Sequence, residues 1–402
     1  MERAATIVWW ALLVACAVGL WAAHAAATGG GGSAGEGPSE FHGRWALGAA
    51  RAGVPYEKLG IDRLAPAEQL RMVPVVAEVV GLEKAREMLE GLRGTEDFEI
   101  FRQIYGELSH PVADEGFLRR NGWFGRLALS SGLPDDHPLR SDVLKEARRA
   151  FLGASIVLVG GLAGLVAGLV LLPLGVSRLA RGQIRFAYEP PPRQPGDRVW
   201  LETVTILLAG VIGAAFVGSW AMWALLLVPL WPLARGAGFA GWRTGLGLVR
   251  GHGILVETGA GILGYVAGIP VFAAGFLAML LVSRVLGEPV RHPAMEDAAD
   301  PSARLQLFLA TCVWAPLVEE AVFRGAFQRY LRPRMARIGA AAVVGLVFAF
   351  VHPQGLAAIP VLMALGGWFA MLREWRGTLI PCVAAHAVHN LALVSLAVYV
   401  FG

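Results

Sequence analysis

Charge is what this sequence has least of: 16% of its 402 residues are Asp, Glu, Lys or Arg. That excludes a disordered, self-repelling chain. With 55% hydrophobic residues and a mean hydropathy of +0.55, it also excludes a cytosolic enzyme built on one compact core. Cysteine is scarce too. The three present, Cys16, Cys312 and Cys382, lie inside apolar stretches with no CxxC spacing, which excludes a disulfide framework and leaves them as small buried hydrophobes. No HExxH, GxSxG or P-loop pattern occurs, so zincin, serine-elbow and nucleotide-phosphate chemistry lack a signature. Long apolar runs are abundant, and they place the chain in a bilayer.

The pattern reads as an all-α, polytopic transmembrane helix bundle with an N-terminal helical extramembrane region. Residues 1–27 form a signal anchor or a signal peptide, with the anchor favoured because the run Ile7–Ala27 is long enough to span. Residues 28–37 are a Gly-rich linker. Residues 38–150 turn ordinary in composition, with helix-period stretches at 65–81 and 82–93, a break or kink expected at Pro74, and a solvated helix face at Glu83–Glu87. Residues 151–254 supply additional spans and basic loops, and 255–402 form the C-terminal core.

Arginines mark one side of the membrane. They cluster at 178–198, 235–250, 329–337 and 373–376, whereas 284–304 carries Glu288, Glu296, Asp297 and Asp300. If the basic loops all face the cytoplasm, the run 200–233 must cross twice as a hairpin around Gly218, giving about nine spans with the N-terminus inside. The arginines are topology signals and form no patch for nucleic acid.

Ionisable groups inside spans are costly and call for a reason. Three groups of them occur near the C-terminus. In Glu319-Glu320-Ala-Val-Phe-Arg324, Glu320 and Arg324 stand one turn apart and can neutralise each other, which leaves Glu319 over. A partnerless carboxylate beside a second one suits a group that takes a proton from water, and Pro316 should kink the helix beside it. Next come Phe348-Ala-Phe-Val-His352, followed by a helix-ending Pro353, and His386-Ala-Val-His389-Asn390, whose His386 and Asn390 share a face. Counting 1.5 Å per residue from the basic edge puts Glu319 at roughly 15 Å and His386 at roughly 13 Å. His352 comes to roughly 22 Å by the same rise, which makes it the poorest fit.

Together these resemble the EExxxR, FxxxH and HxxxN motifs of the CAAX prenyl protease and bacteriocin-processing family of intramembrane endopeptidases, over roughly residues 305–395. The resemblance implies an intramembrane endopeptidase with catalytic residues Glu319, Glu320, Arg324, His352, His386 and Asn390. Glu319 would activate water, Glu320 would be the supporting acid tied to Arg324, and His352, His386 and Asn390 would position the water or stabilise the oxyanion. His389 falls outside the pattern. No cofactor is required by this reading; a divalent metal such as zinc, held by one Glu and two His, is the alternative to glutamate chemistry. Expected partners are membrane lipid and a peptide or membrane-protein substrate, with no nucleic acid, in the plasma (inner) membrane. The competing functions are a non-proteolytic immunity or scaffold protein and a proton-coupled transporter.

Overall fold

The computed structural model describes residues 2–29, 40–61, 64–94, 97–106, 115–287, 298, 302–352 and 354–401, and every regular element among them is a helix. Residues 30–37 of the Gly-rich stretch, Glu288, Glu296, Asp297, Asp300 and Pro353 lie outside the described residues. The chain is all-α and multi-pass. Among the described residues six helices are long and apolar enough to cross a membrane: Glu2–Leu20, Pro138–Ala180, Ile254–Leu286, Arg304–Leu331, Leu356–Arg376 and Ile380–Tyr399. The residues divide into two bodies, Gly32–Gly161 with Tyr399–Gly402, and Met1–Gly31 with Leu162–Val398.

The body starting at Gly32 is a small bundle of the ordinary globular kind. Helices Glu40–Arg51, Pro66–Val79, Leu82–Glu90, Phe98–Gly106 and Glu115–Leu129 turn their apolar stripes inward onto Trp123, Phe101, Phe117 and Phe124. Of the break or kink expected at Pro74, the break does not occur. The helix runs from Pro66 to Val79 through it, because Met72, Val73, Val75 and Val76 are all fully buried and their packing outweighs the lost N–H. Lys84 pairs with Glu87 on the surface, as a solvated face should. Polar joints also tie the bundle. Arg140 donates to Glu78 at 2.7 and 2.8 Å and to Asp135 at 2.8 Å. Asp97, in the left-handed region at φ +64°, accepts from Arg120 Nε at 3.0 Å and Asn121 Nδ2 at 2.8 Å. The Arg120 hydrogen bond holds the Asp97 carboxyl below the usual carboxylate range.

In the membrane body, the run after Trp200 does fold back on itself. Helix Arg198–Val217 ends at Gly218, whose φ of +119° only glycine adopts readily, and the apolar segment Ser219–Leu230 returns. Its two ends meet at one buried carboxylate, since Glu202 accepts from Arg198 at 2.9 Å and from Arg235 at 3.2 Å. The other basic segments gather by similar joints. Arg332 donates to Glu374 at 2.6 Å, Ala187 N donates to Trp375 O at 3.1 Å, and Leu379 N donates to Gly247 O at 3.0 Å. The arginine clusters thus occupy one end of this body, the arrangement that a shared membrane surface requires.

The helix bearing the Phe348–His352 motif is held closely. Helix Arg337–Phe350 meets helix Ile359–Arg376 backbone to backbone, and a Cβ on Gly345 would stand 2.6 Å from Met363 O. Small residues at such a crossing are how membrane helices gain packing without a hydrophobic drive.

Candidate active site

Helix Arg304–Leu331 is not a regular α-helix. Leu309–Trp314 and Glu320–Phe327 are widened to the π form, with a short α stretch, Ala315–Glu319, between them. Pro316 explains part of this. Ala315 N donates to Ala310 O, five residues back, and in that register Thr311 O would await the N–H that Pro316 lacks. Asn390 fills the gap: its Nδ2 donates to Thr311 O at 2.6 Å. The motif asparagine therefore satisfies a backbone carbonyl of the glutamate helix.

One turn on, the acidic pair divides. Glu320 and Arg324 are both fully buried, and Arg324 Nη1 donates to Glu320 Oε1 at 2.8 Å. Arg324 Nη2 donates to Gly366 O at 2.8 Å, and the guanidinium lies 4.6 Å from the Phe348 ring centroid and 5.5 Å from that of Phe369. The second partner of Glu320 is His386, whose Nδ1 lies 2.8 Å from the same Oε1. Since that carboxylate oxygen accepts, Nδ1 carries the proton, and Nε2 is left for other business.

Glu319 lacks the arginine. Its Oε2, like that of Glu320, is buried with no hydrogen-bond partner, but what stands 3.8 Å away is Nε2 of His352. Nδ1 of His352 donates to Phe348 O at 2.6 Å, so in the neutral ring Nε2 presents a lone pair towards Glu319. Two acceptors face each other over a gap too long for a direct hydrogen bond. Both side chains keep a sixth of their surface open, at 17% for Glu319 and 18% for His352, whereas Glu320 and Arg324 have none.

Residues 301–392 match the family model of the type II CAAX prenyl endopeptidase Rce1-like family. All three motifs lie within that segment, so over these residues the chain, a multi-pass membrane protein, is similar to the CAAX proteases. No curated protein and no solved structure matches it.

The Rce1-like segment brings the six predicted side chains into two linked groups. Glu320, Arg324 and His386 form one, and Glu319 and His352 the other; Asn390 is turned to Thr311 beside them. The depth count had made His352 the poorest fit, yet it is the imidazole at Glu319. The helical rise ends at Phe350 and His352 sits in the turn beyond, so counting its last residues as helix overstates its height. His389 contacts Tyr265 OH at 3.1 Å, away from the set. Missed altogether was Phe348 as a hub. Its ring lies 4.3 Å from that of His352, 6.1 Å from that of His386 and in an edge contact with Phe323. The FxxxH spacing held that signal, but a phenylalanine in an apolar helix declares no neighbour. Gly366 and Thr311, which act through backbone carbonyls, carry no side-chain signal.

Among the described residues no three His, Cys, Asp or Glu side chains converge as a metal-ligand set. Glu319 and His352 face a common point, and His386, with Nδ1 on Glu320, keeps Nε2 for a further partner. A histidine that donates one ring N–H to a carboxylate is oriented in the way metal-ligating histidines are, so these three are the side chains that would supply the one Glu and two His of a zinc site.

Proposed function

We propose that the protein is an intramembrane endopeptidase of the plasma (inner) membrane that hydrolyses a peptide bond with water activated by Glu319. The observation that carries this reading is the buried Glu319 Oε2, unbonded and 3.8 Å from the His352 lone-pair nitrogen, next to a second carboxylate already neutralised by Arg324.

A water can donate one proton to each of the two facing acceptors, which turns its own lone pair outward to a bound carbonyl carbon. As the water oxygen bonds to that carbon, Glu319 takes its proton and the carbonyl π electrons move onto oxygen. When the tetrahedral intermediate collapses, the C–N bond breaks and the proton held by Glu319 passes to the leaving amine. His386, oriented by Glu320, is the donor for the oxyanion through Nε2 when its ring carries both protons. Arg324 orients Glu320 by its hydrogen bond to Oε1, and Asn390 acts by positioning the helix through Thr311. No step passes through a metal.

The test compares N- and C-terminal peptides of membrane proteins from cells expressing wild type or Glu319→Gln, and repeats the cleavage with purified, reconstituted protein. New termini present with wild type, lost with Glu319→Gln and insensitive to a chelator are the expected result. Identical terminal peptides from the two cell lines would overturn the protease reading, and loss of reconstituted activity on chelation would overturn its metal-free form.

A further inference from the structure

On a side of the membrane body that the motif residues do not line, helices Pro138–Ala180 and Ile254–Leu286 cross and then diverge. They touch where glycine permits it: a Cβ on Gly168 would lie 2.5 Å from Pro270 Cδ, and one on Gly164 2.7 Å from Ile269 Cδ1. Beyond the crossing they part, leaving a cleft of about 350 Å³. Leu171, Gly175 and Leu179 form one wall, Leu263 the other, and Trp368 with Leu372 of the next helix the back. From Leu171 to Leu179 the wall runs about 12 Å along the helix. The cleft is apolar along that length and opens towards the basic end of the body.

Its mouth is cationic. Arg178 lines it, and Arg181 and Arg185 follow, all three exposed. Among the described residues no carboxylate is recorded as a partner for any of the three. The floor of the mouth is fixed in place, because Ala187 N and Tyr188 N donate to Trp375 O and Glu374 O at 3.1 and 3.0 Å. Arg337 stacks on Phe186 of that floor at 3.9 Å. An apolar slot that ends in arginines at a membrane surface matches an acyl chain joined to an anionic headgroup.

We propose that this cleft is a binding site for one anionic phospholipid, with an acyl chain between the two splayed helices and the phosphate at Arg178 and Arg181. A zwitterionic lipid would fill the slot but leave the arginines without a net counter-charge. A water-soluble phosphate would meet the arginines but leave the slot unfilled. The ligand needs both parts.

The full-length protein, delipidated in mild detergent, is titrated with palmitoyl-oleoyl phosphatidylglycerol or with phosphatidylcholine of the same chains, and the bound fraction is read by native mass spectrometry. Wild type should retain one phosphatidylglycerol in preference to phosphatidylcholine. Arg178→Gln with Arg181→Gln should weaken phosphatidylglycerol by about twenty-fivefold, since each basic group near an anionic headgroup is worth about fivefold. Gly175→Phe should abolish retention of both lipids, because a Cβ there meets nothing within 4 Å and the ring grows into the slot. Gly175→Ala should bind as wild type does and shows that the helix accepts a side chain. Equal retention of the two lipids by wild type, or unchanged phosphatidylglycerol binding by the Gln pair and by Gly175→Phe, overturns the proposal. Glycerol phosphate competing as well as the lipid would mean a headgroup-only site, and a farnesylated peptide displacing the lipid would mean a substrate slot; either result also overturns it.

Discussion

Arg324→Met tests the division of labour between the two neighbouring glutamates. The substitution removes a fully buried guanidinium together with its hydrogen bonds to Glu320 and Gly366 and its stacking on Phe348. Glu320 then keeps only His386 as a partner, in a site with no exposure. Breaking such a pair from one side costs about 3–5 kcal/mol, because the surviving charge stays buried. Glu320→Gln should cost a similar amount by stranding Arg324. The double variant removes both charges and should be less destabilised than the sum of the singles by about 2–3 kcal/mol. Glu319→Gln should change stability by less than about 0.5 kcal/mol, since the Oε2 it replaces makes no hydrogen bond. Unfolding in mixed micelles, followed by tryptophan fluorescence, measures all four. Additive single costs would refute the buried pair, and a Glu319→Gln as damaging as Glu320→Gln would refute the separation of a structural acid from a reactive one.

Other outcomes follow from the same geometry. Asn390→Leu should cost about 1–3 kcal/mol by stranding the Thr311 carbonyl, and adding Pro316→Ala, which restores an N–H in the helix, should recover part of it; the same unfolding assay reads both. In the helical body, the folded-state carboxyl of Asp97 titrates below its unfolded value of about 3.9, so its contribution is complete above that pH and disappears as pH falls through the lower folded value. Circular dichroism melts across that acid range should show a steeper loss for wild type than for Asp97→Asn, which has no carboxylate to protonate.

Much of the bundle was legible because bilayer insertion imposes simple arithmetic. Run length announces a span, and an arginine cluster announces a surface. Gly218 is the case in point: if the basic flanks of 200–233 share one side the run has to return, and the chain does turn there, although neither limb is among the six helices long and apolar enough to span. Pro74 failed as a breaker because local propensity yields to a packed core. At the site, Glu320 and Arg324 could be paired by counting, since four residues on one helix fix their separation. His386 could not be assigned to Glu320 rather than Glu319 in that way. The choice depends on how two helices are rotated about their own axes, and periodicity within each says nothing of that.

By itself, then, the sequence determined that the chain is a helical membrane protein and which ionisable residues were too expensive to be incidental, because both follow from transfer free energies summed along a line. Only the tertiary structure decided that Glu319 faces His352, that Phe348 separates two imidazoles, and that Asn390 serves a carbonyl freed by Pro316. Those are contacts between helices, set by glycine-permitted crossings and widened turns whose effect exists only when the helices are packed.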